Sequence, residues 1–87
     1  MNVYVRFELA PQDARKKTAT WFVLDRGVLV LGEIKWFPHW RCYAFFPKDK
    51  TLYEQDCLRV IADFCETRTT TQRLIAQARR DGNKNKS

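Results

Sequence analysis

The chain has 87 residues, 45% of them hydrophobic and 14% aromatic, with sixteen Lys and Arg against ten Asp and Glu for a formal net charge of +6. That length holds one small domain around a single core and excludes a second, and the apolar fraction excludes wholesale disorder. The charge suits an anionic partner, such as nucleic acid or an acidic protein face, and also serves plain solubility.

Residues 2–9 ("NVYVRFEL") alternate cleanly. Val3, Val5, Phe7 and Leu9 share one side, while Asn2, Tyr4, Arg6 and Glu8 share the other, which is the period of a half-buried strand. Residues 10–19 carry Pro11 and the basic run Arg15–Lys16–Lys17, and read as a polar loop. Two further strands flank Asp25-Arg26-Gly27. A three-residue hairpin loop with Gly27 in the left-handed region puts Leu24 opposite Val28 and Phe22 opposite Val30. A fourth strand over 41–46 returns after Phe37-Pro38-His39-Trp40. Pro38 has no N–H to give a sheet and belongs in that turn.

The clearest helix follows. Thr51 with Glu54 three residues later forms a capping box. Tyr53, Cys57, Val60, Ile61 and Phe64 recur at helical spacing, with Leu58 and Cys65 widening the face. The β-branched run Thr69-Thr70-Thr71 predicts a break. Residues 72–80 then form a short second helix with Leu74, Ile75 and Ala78 to bury, and 81–87 are a disordered basic tail. The chain therefore predicts a single α+β domain over 1–80. Its antiparallel sheet has about four strands in the order β-β-β-β-α, and the main helix packs on one face.

The hairpin around residue 38 has two registers. An odd tip loop, Pro38-His39-Trp40, pairs Phe37 with Arg41. It collects Val28, Val30, Ile34, Trp36, Cys42, Ala44 and Phe46 on a wholly apolar face for the helix. Leu29, Leu31, Glu33, Lys35, Phe37, Arg41, Tyr43 and Phe45 then share the mixed face. A one-residue slip exchanges the faces, and the odd register partitions charge more cleanly. The partner-binding candidates are therefore Lys35, Phe37, His39, Trp40, Arg41 and Tyr43. Arg15, Lys16, Lys17, Arg73, Arg79 and Arg80 are candidate contacts to phosphates or an acidic surface.

Catalysis needs an acid/base pair, an activated nucleophile or a metal. His39 is the single histidine, and its pairing with Cys42 is set aside because the odd register turns Cys42 inward. His39 and Cys42 alone are too few ligands for zinc, and no Gly-rich phosphate loop occurs. The expectation is no enzyme, no metal and no cofactor. An odd cysteine count without CxxC suits a reducing compartment. No apolar run approaches the roughly 20 residues of a membrane span, and no signal-peptide pattern opens the chain. Cations interleaved with flat rings suit single-stranded nucleic acid, while Trp, Tyr and Arg also dominate protein interfaces. The edge strand over 2–9 offers pairing to a partner or a second copy.

The segment "LGEIKWFPHWRCYAFFP" followed by "CLRVIADFCE", about residues 31–66, resembles a group of small uncharacterised bacteriophage or prophage proteins with a GEIKW-x3-WR-x-Y-x-FFP segment and a short helix. The resemblance implies a phage accessory protein in the bacterial cytoplasm. Its expected partner is a host protein or ribonucleoprotein, which it would inhibit or modulate by binding, as anti-CRISPR proteins do. The alternative is a small basic nucleic-acid-binding protein using the aromatic-basic hairpin.

Overall fold

The computed structural model describes residues 5–84, the last four by backbone alone. Four strands and one helix follow in order: β1 (Arg6–Leu9), β2 (Thr20–Leu24), β3 (Val30–Phe37), β4 (Cys42–Pro47) and α1 (Gln55–Lys84). The strands form one antiparallel sheet in sequence order, β1-β2-β3-β4, and α1 packs against β4. This is the α+β arrangement that the alternating apolar residues require. Asn2, Val3 and Tyr4 of the expected first strand lie outside the described residues.

The first hairpin differs from expectation. Gly27 does not take a positive φ, and the loop spans Asp25 to Leu29. Asp25 organises it: its Oδ1 accepts from the Gly27 N–H (2.9 Å) and the Leu29 N–H (3.1 Å), while its own N–H donates to the Leu29 carbonyl (3.0 Å). An Asx side chain thus does what a left-handed glycine would otherwise do. Leu24 pairs with Val30 and Val23 with Gly32, so Leu31 is an extra residue in a bulge. Val28 and Leu29 fall in the loop and are exposed rather than sharing the sheet faces.

The second hairpin adopts the even register. Phe37 pairs with Cys42, Trp36 with Tyr43 and Ile34 with Phe45, around the four-residue loop Pro38–Arg41. Ile34 and Trp36 keep the helix-facing side assigned to them. Tyr43 and Phe45 move to that side, and Cys42, Ala44 and Phe46 go to the open face. The core is Val23, Ile34, Tyr43 and Ile61, with Phe7, Trp21, Phe45 and Phe64 packed around it. The physical reason is space. The sheet-to-helix gap is filled by aromatic rings in place of a close approach over small residues. Phe7 stacks on Phe64 with centroids 4.0 Å apart, Trp21 meets Phe64 edge-on at 5.1 Å, and Phe45 meets Tyr53 at 5.2 Å. Gly32 makes room for this. A Cβ there would stand 2.5 Å from the Phe46 carbonyl oxygen and 2.8 Å from the Phe45 ring.

The helix is continuous through the threonines, so no separate C-terminal helix forms, and its backbone runs on to Lys84. Residues 85–87 of the expected tail lie outside the described residues. Thr69 shows why the break is absent. Its hydroxyl donates to the Cys65 carbonyl one turn back (2.8 Å) and accepts from the Tyr43 N–H on β4 (2.9 Å). The sequence-level cost of a β-branched helix residue is a few tenths of a kcal/mol, less than a buried N–H satisfied across elements contributes. β4 is an edge strand, and α1 covers it at this point, which protects the edge from pairing with another chain.

The helix N-terminus also differs from the capping box. Glu54 alone caps it, its Oε1 accepting from the Cys57 N–H at 2.6 Å. Thr51 instead donates to the Lys48 carbonyl (2.8 Å) in the preceding turn. Tyr53 ties the entry of the helix to the bulge, its hydroxyl donating to the Leu31 carbonyl at 3.0 Å.

Candidate functional site: a hairpin tip and a basic groove

The tip is built by the loop itself. The Phe37 carbonyl accepts from the N–H groups of Trp40 (3.2 Å) and Arg41 (2.9 Å). That closure places Arg41 at φ 54°, a left-handed conformation that costs a non-glycine residue roughly 1–2 kcal/mol. Phe37 is the hub on the open face. His39 stacks on it at 5.4 Å, Trp40 meets it edge-on at 4.8 Å, and Phe46 at 6.2 Å. Lys35 lies 4.6 Å above the Phe46 ring and 3.8 Å from Glu33. Trp40 is 70% exposed, a large apolar ring held in water.

Five of the six expected partner-binding residues, Lys35, Phe37, His39, Trp40 and Arg41, therefore lie on the open face or at the tip. Tyr43 does not. It is buried at 7% exposure beneath the helix, edge-on to Trp36 at 5.5 Å, because the even register turns it inward.

Behind the tip, the distal half of α1 and the end of the sheet enclose an open groove of about 910 Å³. Lys17, Trp36 and Arg41 form the sheet wall, and Gln72, Arg73 and Arg80 the helix wall. Arg73 crosses it, donating from Nη2 to the Arg41 carbonyl at 3.2 Å. Four cations line the groove and, among the described residues, no carboxylate does. Three of the six expected phosphate-contact residues, Lys17, Arg73 and Arg80, thus converge with Arg41 from the other candidate set. Arg15, Lys16 and Arg79 are exposed and are not part of the wall. Arg15 is engaged locally instead. Its backbone N–H donates to Asp13 at 3.0 Å, and this bond, then its side chain, holds the Asp13 carboxyl below the ordinary value of 3.8.

Trp36 and Gln72 are groove residues that sequence reasoning missed. Trp36 is the more instructive: its position next to the tip was legible, but it reads as core, whereas the structure leaves it half-buried and lining the groove. Burial, and then the neighbouring Cys42, pushes the Cys65 thiol up to about 11, away from the reactive thiolate. Among the described residues, no group of His, Cys, Asp and Glu could hold a metal ion, and no helix is long and apolar enough to cross a membrane. Compared with protein-family models, curated proteins and solved structures, the chain matches none.

Proposed function

We propose that the protein is a non-enzymatic accessory protein of phage type that binds and inhibits or modulates a host nucleoprotein machine in the bacterial cytoplasm, as anti-CRISPR proteins do. It docks through the hairpin tip. The observation that carries this reading is Trp40, 70% exposed and braced by Phe37, with Arg41 beside it. Trp and Arg are the residues that dominate interface energetics. A rigid ring loses little entropy on docking. Arg41 is held in a strained backbone state that a glycine would occupy without cost, and such strain clusters at functional positions. The resemblance of residues 31–66 to small phage proteins supports the bacterial setting. The basic groove beside the tip favours contact with the nucleic acid of such a machine as well as with its protein.

The test is capture from a nuclease-treated bacterial lysate by wild type and by Trp40→Ala, with retained proteins identified by mass spectrometry. The expected result is one complex retained by wild type and lost by Trp40→Ala, whose unfolding free energy stays within about 0.5 kcal/mol of wild type, as for an ordinary surface change. An identical retained set for both proteins, or none for either, overturns the reading.

A further inference from the structure

We infer that the groove between α1 and the end of the sheet is a binding site for a single-stranded nucleic-acid segment, its phosphates held by Lys17, Arg41, Arg73 and Arg80 and one base lying on Trp36. This deepens the docking reading above and rests on it only for the setting, since the groove residues are distinct from the tip ring Trp40.

Four features lead there. First is sign: four cations and no described carboxylate face the same space, so an anion entering it meets positive charge from several sides. Second is size. About 910 Å³ is far more than a lone inorganic anion needs and lies near the top of the range for small-ligand sites. The open sides let a chain pass through. Third is spacing. Arg73 and Arg80 are seven residues apart on one continuous helix, about 10.5 Å along its axis, so they meet successive parts of a backbone rather than one phosphate. Fourth is the ring. Trp36 lines the wall, and a flat indole beside cations suits an unpaired base, whose face is available for stacking.

That last feature separates the strand from its competitors. A duplex keeps its base faces stacked inside, so it offers the indole no unpaired face to stack on. An acidic peptide satisfies the cations but makes no use of the indole face. Gln72 adds an uncharged amide that can donate and accept at a base edge.

The groove depends on local construction that keeps its walls in place. The Arg73 bond to the Arg41 carbonyl spans the two walls. The Thr69 hydroxyl, bonded to the Tyr43 N–H, fixes the helix on β4 less than one turn before Gln72. Both hold the helical cations at a set distance from Trp36 before any ligand arrives, which lowers the ordering cost of binding.

The experiment is fluorescence anisotropy of the full chain with end-labelled oligo-dT and oligo-U of about 15 nucleotides, a length within single-strand site sizes, from 50 to 200 mM salt. Four phosphate contacts on a single strand predict a log–log salt slope of about −2.8, a loss of about 50-fold in affinity over that range. Arg80→Ala is expected to weaken binding about tenfold and flatten the slope by about 0.7. Arg41→Gly removes a guanidinium while glycine accepts the φ of 54° without strain, so it should weaken binding with no loss of thermal stability. Trp40→Ala should bind the oligonucleotides as wild type does, even while it loses a protein partner. Failure of the tip and failure of the groove are thereby separate results. No binding at 50 mM salt, equal affinity for a duplex of the same length, equal competition by polyglutamate, or wild-type affinity in both Arg80→Ala and Arg41→Gly overturns the inference.

Discussion

Replacing Thr69 with Val removes one hydroxyl and nothing else of consequence. The two side chains are nearly the same shape, and their helix propensities are close. What is lost is the acceptor for the Tyr43 N–H and the donor to the Cys65 carbonyl, at 2.9 and 2.8 Å. The Cys65 carbonyl remains within the helix ladder. The Tyr43 N–H points out of the sheet edge into a buried site, so the orphaned donor sets the cost at about 1–3 kcal/mol. For a domain of this length that lowers the melting temperature by roughly 5–20 °C. Thr70→Val is the control, one residue on and exposed, and should change stability by less than about 0.5 kcal/mol. Urea unfolding followed by circular dichroism gives the stabilities, and amide hydrogen exchange reads the site directly. The Tyr43 amide should lose protection in Thr69→Val and keep it in Thr70→Val. If Thr69→Val matches Thr70→Val in both measurements, the helix is not locked to β4 through this hydroxyl, and the account of the groove wall fails with it.

The two glycines should part company. Gly32→Ala forces a Cβ to within 2.9 Å of the Phe46 oxygen, the Phe45 ring and the Pro47 Cα, so it should destabilise by about 1–3 kcal/mol or more in denaturant unfolding. Gly27→Ala meets only Asp25 Oδ1 at 3.5 Å and needs no positive φ. It should be neutral or slightly stabilising in the same assay, and a large loss there would contradict the Asp25-centred loop. The Glu54 carboxyl is held below the ordinary value of 4.5, chiefly by the Cys57 N–H and then by that of Asp56. A depressed folded-state pKa means the cap's contribution is present above the unfolded value and fades as pH falls through the folded one. Stability of wild type should therefore drop more steeply below about pH 5 than that of Glu54→Gln, measured by urea midpoints across acid pH. Parallel curves would remove Glu54 as the cap.

Much of the architecture is legible in the residues. The alternation that carries Phe7, though it leaves Leu9 exposed, the aromatic and β-branched run Trp21–Leu24, and the helical spacing of Ile61, Phe64 and Cys65 specify a sheet with a helix on it, because the side-chain periods of 2 and 3.6 are local properties of the backbone. The exposed tip was legible too, since Pro38 cannot sit in a ladder and a short polar loop must form around it. The register was not. Moving the pairing by one residue exchanges Cys42, Ala44 and Phe46 for Tyr43 and Phe45, and both sets contain plausible core residues. Tidiness of charge favoured the wrong one. The gap between sheet and helix decides the matter, and no local pattern encodes its width.

The groove divides in the same way. The sequence by itself determined that the chain is small, basic and aromatic, that its cations cluster before β2 and along the distal helix, and that a Trp-Arg pair sits at a hairpin tip. Composition and local periodicity suffice for those. Only the tertiary structure decided that Lys17, Arg41, Arg73 and Arg80 face one space while Arg15, Lys16 and Arg79 do not. It alone kept the helix whole through Thr69, Thr70 and Thr71. Both outcomes rest on contacts between residues far apart in the chain, the Thr69 hydroxyl on the Tyr43 N–H and Arg73 on the Arg41 carbonyl. The free energy of satisfying buried polar groups across elements exceeds the local propensities that point the other way.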